Sequence, residues 1–198
     1  MILVGLTGGI GSGKSTVSAL LEAKGALIVD ADAITRELQQ PGTPVFDAMV
    51  ERFGPGIVAP DGTLNRQAVA DVVFNDKEAL RHLGAIVHPE VGKEIARRIA
   101  EAGQDQVVIL DVPLLVESGR DDMIGIIVVD TPVDVAVERL VAQRGMSEAD
   151  ARARMANQAS REDRLAKAAV VVENSGSLDD LRRQVDDAWE WIQRQGAA

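Results

Sequence analysis

The stretch GLTGGIGSGKSTV, residues 5–17, joins an apolar run, MILVGLT, to an amphipathic one, STVSALLEAKG. Its glycines suit neither a helix nor a strand. Gly8, Gly13, Lys14 and Ser15 satisfy G-x-x-x-x-G-K-[ST], and the pattern lies where its mechanism requires, after a strand and at the start of a helix. Glycines let the backbone curl so that its N–H groups approach phosphate oxygens with no Cβ in the way. The helix that opens near Lys14 turns its positive end to the same place. Lys14 is then set to reach the β- and γ-phosphates of a nucleoside triphosphate, and the Ser15 hydroxyl to ligate Mg²⁺. The alternative, a glycine-rich turn without chemistry, leaves the lysine and the flanking periodicities unexplained.

The rest of the chain repeats the opening strand–helix alternation. ALIVDAD, DQVVILDVP, IGIIVVDTP and AAVVVENSG are further buried strands, each with a polar residue where the apolar run stops, and Gly25 reads as a helix stop. Five strands separated by helices predict an α/β fold with a parallel sheet covered on both faces. SEAD at Ser147 and SLDD at Ser177 read as capping boxes opening helices. About 75 residues, from Ala31 to Asp105, separate the second and third strands, far beyond one crossover helix. They read as helices near Thr43–Phe53, Asn65–Phe74 and Asp76–Ala102, the last interrupted near Pro89. An insert of this size at the carboxyl edge of a parallel sheet is a place for a second ligand.

Composition excludes several classes. A net charge of −10 disfavours broad nucleic-acid binding, which depends on cationic neutralisation of phosphates. No apolar run approaches the roughly 18 residues of a membrane span, and no basic segment precedes an apolar one as in a secretory signal. With no cysteine there is neither a disulfide framework nor a thiolate metal site, so a cytoplasmic location is expected. No motif bears on oligomeric state. The Asn-Lys-x-Asp guanine-reading motif of GTPases is absent, and motor or transport ATPases are usually larger. A compact phosphotransferase needs three further parts: a base for the acceptor hydroxyl, an acceptor pocket and an arginine-bearing cover.

Candidates exist for each. Asp30 and Asp32 close the second strand, where a carboxylate can orient or deprotonate a hydroxyl, although either could simply cap the following helix. Asp111 ends an apolar run in the Walker B manner and is a candidate Mg²⁺ ligand. Six arginines, Arg139, Arg144, Arg152, Arg154, Arg161 and Arg164, lie close together, interleaved with acidic residues. On one helix Arg154, Gln158 and Arg161 would share a face. A solvated surface is the bland reading, and the phosphate-binding loop favours a lid instead. His88 is either an acceptor ligand or structural, His82 reads as a surface residue, and Trp189 and Trp191 read as packing residues.

Taken together, GLTGGIGSGKSTV, DAD at 30–32, LNR at 64–66, HP at 88–89, DVPLLVE at 111–117, RMANQ from 154 and VENSGS to 177 resemble the dephospho-CoA kinase family nearly end to end. The resemblance implies a single P-loop kinase domain over 1–198, its nucleotide-binding core formed by 1–30, 106–138 and 168–198. Residues 31–105 would be the helical acceptor-binding region and 139–167 the lid. It implies ATP and Mg²⁺ as co-substrate and cofactor, and the ribose 3′-hydroxyl of dephospho-CoA as acceptor. It places the base at Asp32, with Lys14 and Arg139 at the transferred phosphate. Gly11, Ser12, Gly13, Lys14, Ser15, Thr16, Arg144 and Asn174 would bind ATP, and Asp32, Arg66, His88 and Leu114 the acceptor. Val116 stands where the family usually has Phe, and a Lys is usual near Arg164. Another small-molecule or nucleoside monophosphate kinase, and a nucleotide-binding switch with no acceptor, are the competing readings.

Overall fold

The computed structural model describes residues 1–74 and 76–196. Along the chain, β1 (Ile2–Gly8) leads through the glycine loop into α1 (Lys14–Ala23) and β2 (Leu27–Asp30). Four helices follow: α2 (Ala31–Leu38), α3 (Pro44–Phe53), α4 (Arg66–Phe74) and α5 (Lys77–Ala100). The chain then continues with β3 (Val107–Asp111), α6 (Leu115–Ser118), β4 (Ile126–Asp130), α7 (Val133–Arg144), α8 (Glu148–Ala156), α9 (Arg161–Ala166), β5 (Val170–Glu173) and α10 (Leu178–Gly196). It forms two compact units, one of Met1–Val29 with Ala102–Ala198 and the other of Asp30–Glu101.

The first unit is built on a five-stranded sheet of order β2-β3-β1-β4-β5. β1 pairs in parallel with β3 and β4, and β4 with β5, as continuous apolar runs buried on both faces predict. The register sets Leu6 against Asp111, Gly8 against Val129 and Asp130 against Glu173, so the strands deliver their polar ends to one edge. Val4, Leu6, Ile109, Ile127 and Val129 pack with Val17 and Leu21 of α1 and with Leu181, Val185, Ala188 and Ile192 of α10. Trp189 and Trp191 lie against this core, as their packing role requires. Ser147 and Ser177 do cap their helices: each hydroxyl accepts the backbone N–H three residues on, and Asp180 returns a bond to the Ser177 N–H.

The second unit has its own core, in which Val45 and Met49 of α3 meet Val69 of α4, Val87 of α5 and Ile57 of a short 3₁₀ turn. Thr43 caps α3, with Pro44 at its first position. The break expected near Pro89 does not occur, because α5 runs from Lys77 to Ala100 with Pro89 inside it. Proline removes one N–H and crowds the carbonyl four residues back. Val87 and Ile95 are buried on either side of it, and their packing keeps both flanks helical.

Candidate active site

The glycine loop is shaped by close approach. A Cβ on Gly8 would lie 2.6 Å from the Ser12 hydroxyl and 2.8 Å from the Val129 carbonyl oxygen. Gly13 takes φ +83°, the left-handed region that favours glycine, and a Cβ there would collide with the Asn174 amide. Gly13 is also the N-cap of α1, and no side chain caps that helix or places an acid in its first turn. The N–H groups and positive end of α1 are therefore left open to an anion. Ser15 and Thr16 are exposed in that first turn.

Buried polar groups hold the loop in place. The Asn174 amide donates to the Ser12 carbonyl at 2.7 Å, and the Thr131 hydroxyl reaches the Ser12 and Asn174 carbonyls at 3.2 Å each. Asn174 thus braces the loop with its side-chain N–H. The Ser12 hydroxyl is buried with no hydrogen-bond partner among the described residues. The Lys14 ammonium lies on the Asp111 carboxylate, which is buried at the end of β3. Arg139, half-buried on α7, has a guanidinium nitrogen 3.8 Å from where a Cβ on Gly13 would sit. Arg144 is the exposed last residue of the same helix.

The arginine-rich segment departs from expectation. Arg154, Gln158 and Arg161 do not share one helical face, because α8 stops at Ala156 and Ser160 caps a new helix, its hydroxyl accepting the Asp163 N–H at 3.0 Å. The intervening turn is fastened to the loop and its neighbours. Gln158 Oε1 accepts the Ile10 N–H at 2.9 Å, and Glu117 Oε1 accepts the Ala159 N–H at 2.7 Å. Arg161 donates two hydrogen bonds to Asp130, at 2.8 and 2.6 Å. That carboxylate raises the Arg161 pKa further, so the guanidinium stays charged. Val137, Leu140 and Ala151 pack with Ile10, Met146 and Met155, fixing α7 and α8 against the loop. A cavity of roughly 100 Å³ remains among Gly9, Ser12, Asp130, Gln158, Arg161 and Arg164.

In the second unit Asp30 and Asp32 have different employment. Asp30 Oδ1 accepts the N–H groups of Asp32 and Ala33, capping α2, whereas the exposed Asp32 carboxylate makes no hydrogen bond or ion pair among the described residues. Arg66, opening α4, donates to Gln39 Oε1 at 3.0 Å, and Gln39 is buried. His88 is exposed on α5, its ring over Gly84, and so is not a buried structural histidine. His82 hydrogen-bonds Arg52 at 2.6 Å. Leu114, in the first unit, is exposed just ahead of α6. Sequence reasoning passed over Thr131, Asp130 and Glu117. Only Asp130, an acid ending an apolar run, carried a local signal.

Among the described residues no group of three or more His, Cys, Asp or Glu could hold a metal, and no helix is long and apolar enough to cross a membrane. A family model described as dephospho-CoA kinase matches residues 2–180. A dephospho-CoA kinase of Thermobifida fusca is 48% identical over 195 residues, which is 98% of each chain. A solved structure from Thermus thermophilus superposes with a TM-score of 0.82 at 36% identity, covering 96% of both chains. That of a dephospho-CoA kinase from Campylobacter jejuni gives 0.67 at 23% identity over the same share, a likeness of fold.

Proposed function

The chain belongs to the dephospho-CoA kinase family, and from that premise we propose how its own residues divide the work. The reaction is the ATP-dependent phosphorylation of dephospho-CoA, giving coenzyme A and ADP. The acceptor is the ribose 3′-hydroxyl, whose oxygen attacks the γ-phosphorus while the bond to the ADP oxygen breaks. Asp32 accepts the hydroxyl proton; it is the uncommitted one of the two candidate carboxylates. Lys14 leaves Asp111 for the β- and γ-phosphates, and Arg139 adds a second cation beside the loop. Arg66, His88 and Leu114 bind the acceptor, and Arg144 and Asn174 serve the nucleotide, Asn174 by holding the loop.

The donor set suits Mg²⁺ carried in by the nucleotide: Asp111, a buried carboxylate, and Ser15, an exposed hydroxyl, are hard oxygen donors that would hold it. When bound, the ion neutralises charge shared by the β- and γ-phosphates. We place the activity in the cytoplasm, which the cysteine-free composition suits.

The observation that carries this reading is Lys14 resting on the buried Asp111 beneath an uncapped helix N-terminus. ADP release measured with and without dephospho-CoA tests it. Release that requires dephospho-CoA is expected. Release at the same rate without it, or only with another hydroxyl acceptor, would overturn the acceptor assignment.

A further inference from the structure

Glu117 lies in the PLLVE segment, and the reading above gives it no task. Its carboxylate accepts the backbone N–H of Ala159 at 2.7 Å. The carbonyl oxygen of the same residue accepts from the Arg164 guanidinium at 2.5 Å. Arg164 in turn lies against the glycine loop, since a Cβ on Gly9 would stand 2.9 Å from its terminal nitrogen. Glu117, Ala159, Arg164 and Gly9 therefore form one continuous line from α6 to the start of the loop just after β1.

Arg164 differs in charge balance from Arg152 and Arg161, and differs from the other arginines of the segment in lying against the glycine loop at Gly9. Arg161 is neutralised by Asp130, and Arg152 by Glu148 and Asp134. Arg164 has no carboxylate partner among the described residues and is half-buried. It is held by a neutral carbonyl, so its full charge remains for a ligand. The loop's N–H groups would cradle the α- and β-phosphates, and the γ-phosphate would lie within reach of the Lys14 ammonium. That ammonium lies on Asp111, which is in register with Leu6 of β1, so it sits on the strand side of the loop, the side of Gly9 and Arg164.

We infer that Arg164 contacts the γ-phosphate and that Glu117 is a positioning residue, acting on Arg164 through both backbone groups of Ala159. The inference rests on the kinase reading and adds two residues to it. It also divides the labour of the arginine-rich segment, with Arg161 fastening the turn and Arg164 meeting the nucleotide.

A double-substitution cycle read by calorimetry tests it, with ATP and with ADP, Mg²⁺ present and dephospho-CoA absent. Arg164→Met is expected to weaken ATP about tenfold or more and ADP by less than about twofold, because only ATP carries the γ-phosphate. Glu117→Ala is expected to produce the same selective loss, smaller in size. Glu117→Gln, which keeps an oxygen acceptor for the Ala159 N–H, should restore most of it. The Glu117→Ala/Arg164→Met pair should be no worse than Arg164→Met alone. An unchanged ATP-to-ADP ratio in Arg164→Met would remove Arg164 from the γ-phosphate. Fully additive effects, or equal losses for both nucleotides in Glu117→Ala, would make Glu117 merely structural. Nucleotide binding needs no acceptor, so neither result depends on dephospho-CoA being the substrate. Conversely, turnover that requires dephospho-CoA would stand if this inference failed.

Discussion

Asp30 Oδ1 accepts the backbone N–H of Asp32 at 2.8 Å and that of Ala33 at 3.0 Å, so the first aspartate of the DAD motif holds the helix that carries the second. Two carboxylates two residues apart thus have unlike tasks. Asp32→Asn preserves shape but removes charge and basicity, and kcat is expected to fall by about 10²–10⁴ with ATP affinity nearly unchanged. Asp30→Asn keeps a good cap and should retain most activity, while Asp30→Ala should cost about 1 kcal/mol of stability. Steady-state kinetics and urea melts separate the two. A dead Asp30→Asn enzyme beside an active Asp32→Asn would reverse the assignment of the base.

Lys14→Ala removes the ammonium that lies on Asp111 and that we propose transfers to the phosphates. Turnover should drop by at least about 10², since the charge is lost where negative charge develops in the transition state. Arginine should rescue poorly, because its planar fork does not replace a compact ammonium between Asp111 and the loop. Activity within a few-fold of wild type in either variant would contradict the role given to the loop.

The turn at Asn157–Ser160 offers a test of whether the segment 139–167 acts as a lid. Its Ala159 N–H is held by Glu117, and its Gln158 side chain holds the Ile10 N–H of the glycine loop. Asp130→Asn weakens the two-bond grip on Arg161, and hydrogen exchange at Ile10, Ala159 and the start of α9 should quicken several-fold. With ATP and dephospho-CoA both present, exchange across 139–167 in the wild type should slow as the segment closes over the ligands and excludes water. Exchange unchanged by ligands would leave these arginines as a plain surface.

What was legible in the sequence was local. Lys14 and Ser15 were assigned from a pattern eight residues long, and the strands from apolar runs that each end in a polar residue. The partners that fix the site are distant in the chain: Asn174 and Thr131 on Ser12, Asp130 under Arg161, Glu117 on Ala159. No periodicity reports such pairs, because the sheet order and not the chain order brings them together. Two local rules failed for different reasons. Pro89 predicts a helix break and is overridden by burial of its neighbours, a tertiary effect. The spacing of Arg154, Gln158 and Arg161 predicts one helical face across SRED, although Ser160 and Asp163 obey the capping pattern that correctly marks Ser147 and Ser177. That signal was present and was outweighed by the arginine spacing.

Glu94 supplies a pH test away from the chemistry. On α5 its carboxylate accepts hydrogen bonds from Arg97 at 2.7 Å and Arg98 at 2.8 Å, and Arg97 also reaches Glu101. These guanidinium bonds lower the Glu94 pKa from 4.5 to about 2. A folded-state pKa below the unfolded value stabilises the fold wherever the carboxylate is ionised in both states, so the contribution is complete above pH 4.5 and fades as pH falls toward 2. The side chains are partly exposed and the charges screened, which keeps the contribution under about 1 kcal/mol. Glu94→Gln should therefore unfold at slightly lower urea than wild type at pH 7. The two midpoints should converge as the pH approaches 2. Added salt should narrow the gap at pH 7, since the interaction is between charges near the surface. A gap that stays constant across that range would show that the difference between Glu94 and Gln does not come from the carboxylate charge, and would remove the guanidinium bonds as its cause.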